Sequence, residues 1–121
     1  MAKVFLDANI FIDLVENRGE ISSDELNGHD VFISPLSVHI LMYITKSKIP
    51  YKKLNEAIKD FSIIDFDQSI CYKSLDGPTN DFEDNMQLHS AAQAECDLFL
   101  TSDVKLLNLR FFGKTRIAAN F

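Results

Sequence analysis

Short apolar runs alternate with longer segments of helical spacing along this chain. Val4-Phe5-Leu6 is followed by Asp-Ala-Asn, and Ile10 to Val15 is too densely apolar for a surface loop. This predicts a strand feeding a packed helix, a βα start. Asn17 to Asp30 is polar, and its Gly19 and Gly28 fit a turn plus a short helix from Ser22 or Ser23, with Asp24 and Glu25 favouring its N-terminal end. Val31-Phe32-Ile33 reads as a second strand. Ser34 and Ser37 can cap the next helix, whose apolar residues run through Ile40, Leu41, Tyr43 and Ile44 until Pro50 stops it. A helix over 51–61, a strand over 62–66 and a helix over 69–75 follow, the last ended by the Asp76-Gly77-Pro78 turn. Asn80 or Asp81 caps a helix through Glu95. Leu98 to Thr101 reads as a buried strand, Val104 to Leu109 as a short helix and Thr115 to Ala118 as a last strand.

Strands that are short and apolar on both faces, alternating with helices, imply a mostly parallel sheet covered by helices, an α/β architecture. No repeat, low-complexity stretch or linker divides the chain, so residues 1–121 are expected to form one domain. In such sheets ligands bind beyond the carboxyl ends of the strands. Asp7 and Asp103 follow two such ends, and Asp84 lies in the first turn of a helix, sharing a face with Leu88 and Ala91. Three carboxylates therefore gather near one sheet edge. Mg²⁺ and Mn²⁺ prefer oxygen ligands, so these acids suit a metal-dependent phosphodiester hydrolase.

Each acid also has a plainer reading. Asp7 can cap the first helix, Asp103 can cap the helix from Val104, and Asp84 can complement a helix dipole. Asn9 is either a cap or a group that orients Asp7 or a metal-bound water. Asp81 is the natural N-cap of its helix and otherwise an outer-sphere ligand. Thr101 and Ser102 can bond a phosphate or a metal-bound water, or simply satisfy local backbone.

Charge narrows the partners. Eighteen acids against twelve bases give a net charge of -6, which repels polyanions at long range, so nucleic-acid binding needs cations or a local basic patch. Lys46, Lys48, Lys52 and Lys53 form the basic concentration in the sequence; such a run is either a solvated face or a path that steers an RNA backbone toward an acidic cleft. The histidines, His29, His39 and His89, lack zinc-site spacing, and no glycine-rich nucleotide-cradling motif is present. Cys71 and Cys96 are expected to be reduced, buried thiols. With no secretory leader pattern and no long apolar stretch, a soluble cytoplasmic protein with no membrane role is expected.

The opening Val4-Phe5-Leu6-Asp7-Ala8-Asn9-Ile10, then Asp81-Phe82-Glu83-Asp84, then Leu100-Thr101-Ser102-Asp103 resemble the PIN-domain family, which includes VapC-type toxin ribonucleases. The likeness in length and motif order covers nearly the whole chain. It implies a three-layer α/β/α sandwich with a central, mostly parallel sheet. It also implies Mg²⁺ or Mn²⁺ at Asp7, Asp84 and Asp103 and cleavage of RNA to leave a 5′-phosphate and a 3′-hydroxyl. Homodimers and, for toxins of type II toxin–antitoxin pairs, neutralisation by a small antitoxin belong to the same implication. The family's hydroxyl after the second strand falls on Ser34. One departure stands out: the family's usual helix Glu is replaced by Ile40, with His39 before it. Fewer acids weaken metal binding, especially at a second position. An impaired PIN-like protein-interaction module is therefore the competing expectation. A phosphoacceptor receiver domain fits poorly, because Asp7-Ala8-Asn9 is not an adjacent acid pair and no Lys-Pro lies near the end.

Overall fold

A computed structural model describes residues 1–121. Its first strand, β1 (Lys3–Leu6), lies near the middle of a six-stranded sheet and is followed at once by α1 (Ala8–Val15). Next come α2 (Ser23–Leu26), β2 (Asp30–Ile33), α3 (Pro35–Thr45), α4 (Lys52–Ala57), a short 3₁₀ turn at Ile58–Asp60 and β3 (Ser62–Ile63). The remaining elements are α5 (Gln68–Asp76), α6 (Phe82–Gln93), β4 (Leu98–Leu100), α7 (Val104–Leu107), β5 (Phe111–Phe112) and β6 (Thr115–Ala118). Strand order is β3-β2-β1-β4-β6-β5, parallel throughout except for the β5–β6 hairpin. The expected mostly parallel α/β sheet is present.

Alternation along β1 divides the core. Val4 and Leu6 face one side, where they join Ile10, Phe11, Ile33 and Leu41 from the first half of the chain. Phe5 faces the other, with Phe99, Leu88, Ala91, Leu106 and Ile117. Side chains at successive strand positions point to opposite faces, so a sheet apolar on both must carry a helical layer on each. Phe5 and Phe99 stack across β1 and β4 with centroids 5.2 Å apart, an arrangement worth about 0.5–1.5 kcal/mol beyond burial. This packing fixes α6 over the C-terminal half of the sheet.

Several expectations need correction. Helix α3 ends at Thr45 rather than running to Pro50, because Lys46 takes a left-handed conformation at φ 53°. The Thr45 hydroxyl, 2.9 Å from the Leu41 carbonyl, donates back into the last turn. The helix expected over 51–61 is a shorter α4 that tightens into the 3₁₀ turn, and the strand expected over 62–66 pairs with β2 only at Ser62 and Ile63. Strand β5 has no sequence counterpart above; a Gly113-Lys114 turn, with Gly113 at φ 60°, folds it onto β6. Cys96 is buried, its thiol pushed up to about 12 by desolvation. Cys71 is exposed, because α5 buries Ile70 and Ser74 instead. No helix is long and apolar enough to cross a membrane.

Candidate active site

Parallel pairing sets the ends of β1, β2 and β4 side by side, so Asp7, Ser34 and Thr101 form a row just past the last paired residues. Asp7 is only 6 % exposed, a position a carboxylate tolerates only with donors or a cation nearby. Its Oδ1 accepts from the Ala8 N–H at 2.9 Å, and its Oδ2 accepts from the Thr101 hydroxyl at 2.7 Å. Burial pushes the Asp7 carboxyl above the ordinary carboxylate range. The Thr101 and Ala8 bonds pull it back, and the charge of Asp103 adds to the rise. Asp7 thus fulfils the capping role at α1 and still faces outward on the site.

Thr101 links two acids. While donating to Asp7, its oxygen accepts from the Asp103 N–H at 3.0 Å. The Asp103 side chain caps α7 by accepting from the Lys105 N–H at 2.9 Å. Asp84 enters from the first turn of α6, whose N-cap is Asp81 accepting from the Asp84 N–H at 3.0 Å. The half-buried Asp84 carboxyl is raised to about 6, by burial first and then by the charges of Asp81, Asp7, Asp103 and Glu83. Like charges that raise one another in this way mark a cluster of neighbouring acids.

Asp7, Asn9, Asp84, Asp103, Glu83 and Gln87 line one cleft of about 230 Å³. Ile12, Leu36, Ile40 and Ile44 form its apolar wall. The Asn9 Oδ1 is buried without a hydrogen-bond partner. An orphaned carbonyl oxygen on a residue that shares the cleft with four carboxylates makes a set of hard oxygens, the kind Mg²⁺ or Mn²⁺ takes. No three acidic, histidine or cysteine side chains close into a preformed cage. The donor chemistry fits a cation held in the cleft, and the side chains would have to move to close around it.

The other expected residues divide. Ser34 occupies the N-cap of α3 but makes no cap bond; its hydroxyl donates to the Gln87 Oε1 instead. Asp81 acts as a cap and lies outside the cleft lining, reaching the site only through its charge on Asp84. Ser102 is exposed and lines a different cavity with Asp13 and Arg18, so it is not brought to the acids. Lys46, Lys48, Lys52 and Lys53 are all exposed, with Lys53 3.3 Å from Glu16 in an ion pair. The Asp7 cleft also holds two residues that the sequence reading passed over, Glu83 and Gln87. The signal was available, since Gln87 lies three residues after Asp84 on the same helical face. A larger cavity of about 470 Å³ beside Leu14, Leu26 and Phe61 carries a single carboxylate, Asp60, and no acid cluster.

This fold has a counterpart in the crystal structure of VapBC2 from Rickettsia felis bound to a DNA fragment from their promoter. The TM-score is 0.67 at 17% identity, over 96% of this chain and 97% of that chain. No curated protein sequence matches significantly. The PIN domain model matches residues 4–111, a span that includes Asp7, Asp84 and Asp103. By that match, over most of its length, the chain belongs to the PIN-domain family.

Proposed function

We propose that this PIN domain is a divalent-metal-dependent endoribonuclease, working as a homodimer and serving as the toxin of a type II toxin–antitoxin pair with a small antitoxin as partner. The observation that carries the reading is the convergence of Asp7, Asp84 and Asp103 on one cleft with the unpartnered Asn9 Oδ1. Those four oxygen-bearing side chains would hold Mg²⁺ or Mn²⁺. Bound there, the cation supplies acidification of water and neutralisation of charge on a phosphate.

The chain's own residues do the rest. The Thr101 hydroxyl and the Ala8 N–H hold both Asp7 oxygens in fixed directions. Preset ligands lose less freedom on binding, which favours affinity. Ile12, Leu36 and Ile40 give the cleft an apolar wall, and a less polar surround strengthens the acids' pull on any cation. The lysines around the α3–α4 connection provide the positive charge that an RNA backbone needs to approach a chain of net charge -6. Antitoxin pairing is supported by the fold shared with the VapBC2 complex.

Ile40 favours a second reading. It stands in the cleft wall where the family usually has Glu, so the site carries less charge to hold a cation. An interaction module with disabled chemistry is the outcome if that loss is decisive. The test is cleavage of a mixed set of labelled RNAs by the purified protein in Mn²⁺ or Mg²⁺, beside EDTA controls and the Asp7→Asn and Asp84→Asn variants. Cleavage lost in EDTA and in both variants is expected. No cleavage above the variants, with no Mn²⁺ binding by calorimetry, would overturn the nuclease reading and favour the interaction module.

A further inference from the structure

Arg18 is fixed twice to one residue. Just past the end of α1, Asn17 takes a left-handed conformation at φ 56°, and the Arg18 N–H donates to the Asp13 carbonyl at 2.8 Å. The Arg18 Nε donates to the Asp13 Oδ1, also at 2.8 Å. Gly19, at φ 91°, lets the chain pass so close that a Cβ there would lie 3.0 Å from the Asp13 Cβ. Asp13 thus orients the guanidinium through Nε alone, leaving its two terminal amino groups free to donate. An exposed ion pair adds little to stability; what it does here is hold the planar fork in one direction.

Asp13, Arg18, Gly19, Glu20, Ile21 and Ser102 line a cavity of about 180 Å³. Its lining is rich in donors that lack acceptors. The N–H groups of Gly19, Glu20 and Ile21 donate to no backbone carbonyl, and Ser102 adds an exposed hydroxyl. Successive free amides beside a left-handed turn make anion-binding concavities, and the guanidinium fork matches two oxygens of a phosphate. The Asp13 charge is already met by Arg18, so Glu20 is the one carboxylate in the lining that opposes an anion.

This cavity adjoins the acid cleft. Ile10 in its lining follows Asn9 of the cleft, and Ser102 precedes Asp103 in the same way. The two hollows therefore flank the first turn of α1 and the β4–α7 connection, both beyond the carboxyl ends of β1 and β4. A nucleic-acid strand carries a phosphate on every nucleotide, so one laid across the acids brings further phosphates to the residues beside them.

We propose that the Arg18–Ser102 cavity is a second phosphate subsite for the RNA strand, gripping a phosphate neighbouring the one at the acids. This deepens the ribonuclease reading above and rests on it. A cation near the C-terminal end of α1 also complements the helix dipole, and in that role alone Arg18 would affect stability without affecting RNA.

Fluorescence anisotropy of labelled single-stranded RNAs on the full chain, with Ca²⁺ in place of Mn²⁺ and at several salt concentrations, separates these roles. Arg18→Gln is expected to weaken binding about tenfold. It should also lower the slope of log affinity against log salt by about 0.7, the share of one phosphate contact on a single strand. Arg18→Lys keeps the charge and should keep the slope, with affinity about threefold lower for want of the fork. Ser102→Ala should weaken binding about threefold at unchanged slope, and Glu20→Gln should tighten it. Arg116→Gln, an equal loss of charge from an exposed residue at the amino end of β6, should stay within about twofold of the parent with the parent's slope. Equal losses in Arg18→Gln and Arg116→Gln would overturn the proposal, and so would parent-like affinity and slope in Arg18→Gln. Inorganic phosphate that raises the melting temperature of the parent but not of Arg18→Gln, with RNA affinity equal in the two, would overturn it in favour of a free phosphate compound. Failure of the parent protein to bind RNA would overturn the ribonuclease reading itself and the subsite with it.

Discussion

Replacing Asp84 by Asn should stabilise the metal-free protein at neutral pH, because the fold holds this carboxyl where ionisation is opposed. Its pKa rises from 3.8 to about 6 through burial and then through Asp81, Asp7, Asp103 and Glu83. Below pH 3.8 the group is protonated in the folded and unfolded chains alike, and the fold carries no penalty. As pH climbs through about 6, the unfolded chain has already released the proton, and the folded chain must release it against the field of its neighbours. At 1.36 kcal/mol for each pKa unit, the full difference is about 3 kcal/mol. Asp84 is only half-buried, so solvent screening reduces this to about 1.5 kcal/mol. Asn also forfeits about 0.5 kcal/mol of charge–dipole stabilisation in the first turn of α6. A net gain of about 1 kcal/mol corresponds to about 3–5 °C in melting temperature for a domain of this size. Thermal unfolding in EDTA from about pH 4 to about pH 8 should show the two proteins converging at the acid end, separating as pH rises to about 6 and keeping a constant difference above it. A pH-independent difference, or an Asn variant that melts lower at neutral pH, would refute the reasoning. Mn²⁺ should invert the order, since the parent gains about 2.7 kcal/mol at a hundredfold excess over Kd.

Thr101→Val keeps the shape but strips Asp7 Oδ2 of its hydroxyl donor. Denaturant unfolding at neutral pH should register a loss of about 1–3 kcal/mol, and Mn²⁺ titration should show weaker binding. Ile40→Glu adds an acid to the cleft wall. It should lower metal-free stability at neutral pH through like-charge repulsion while tightening Mn²⁺ binding, read by melting temperature with and without the ion; unchanged binding would mean that this position does not serve the cation. Leu88→Ala empties a fully buried position beneath α6, the helix that carries Asp84 and Gln87. Chemical unfolding should show a loss of about 2–5 kcal/mol.

The parts of the site written in local chemistry were legible in the sequence. Asp7 follows a three-residue apolar run, Asp84 sits in the first turn of a helix, and Asp103 follows a buried strand; backbone periodicity alone aims each toward the sheet's carboxyl edge. What stayed hidden depends on partners far along the chain. Ser34 resembles an N-cap, and only the approach of Gln87, separated from it by 53 positions, turns its hydroxyl away. Ser102 looks equivalent to Thr101, yet one strand position sends the former to solvent and the latter into contact with Asp7. The end of α3 turned on the left-handed conformation of Lys46, a residue with no special preference for it. Two-residue strands such as β5 are too short to display a period of two.

The placement of β1 between β2 and β4 also governs when, during synthesis, the acid cluster can form. Asp7 is made 94 positions before the Thr101 hydroxyl that secures it. At about 5–20 residues per second, that interval lasts about 5–20 s. Through it, one edge of β1 lacks its β4 neighbour and the incipient site has neither Thr101 nor Asp103. A chain truncated anywhere before β4 therefore carries the first acid without its support. The order of the chain thus keeps the acid cluster incomplete until β4 and the residues that follow it have been made.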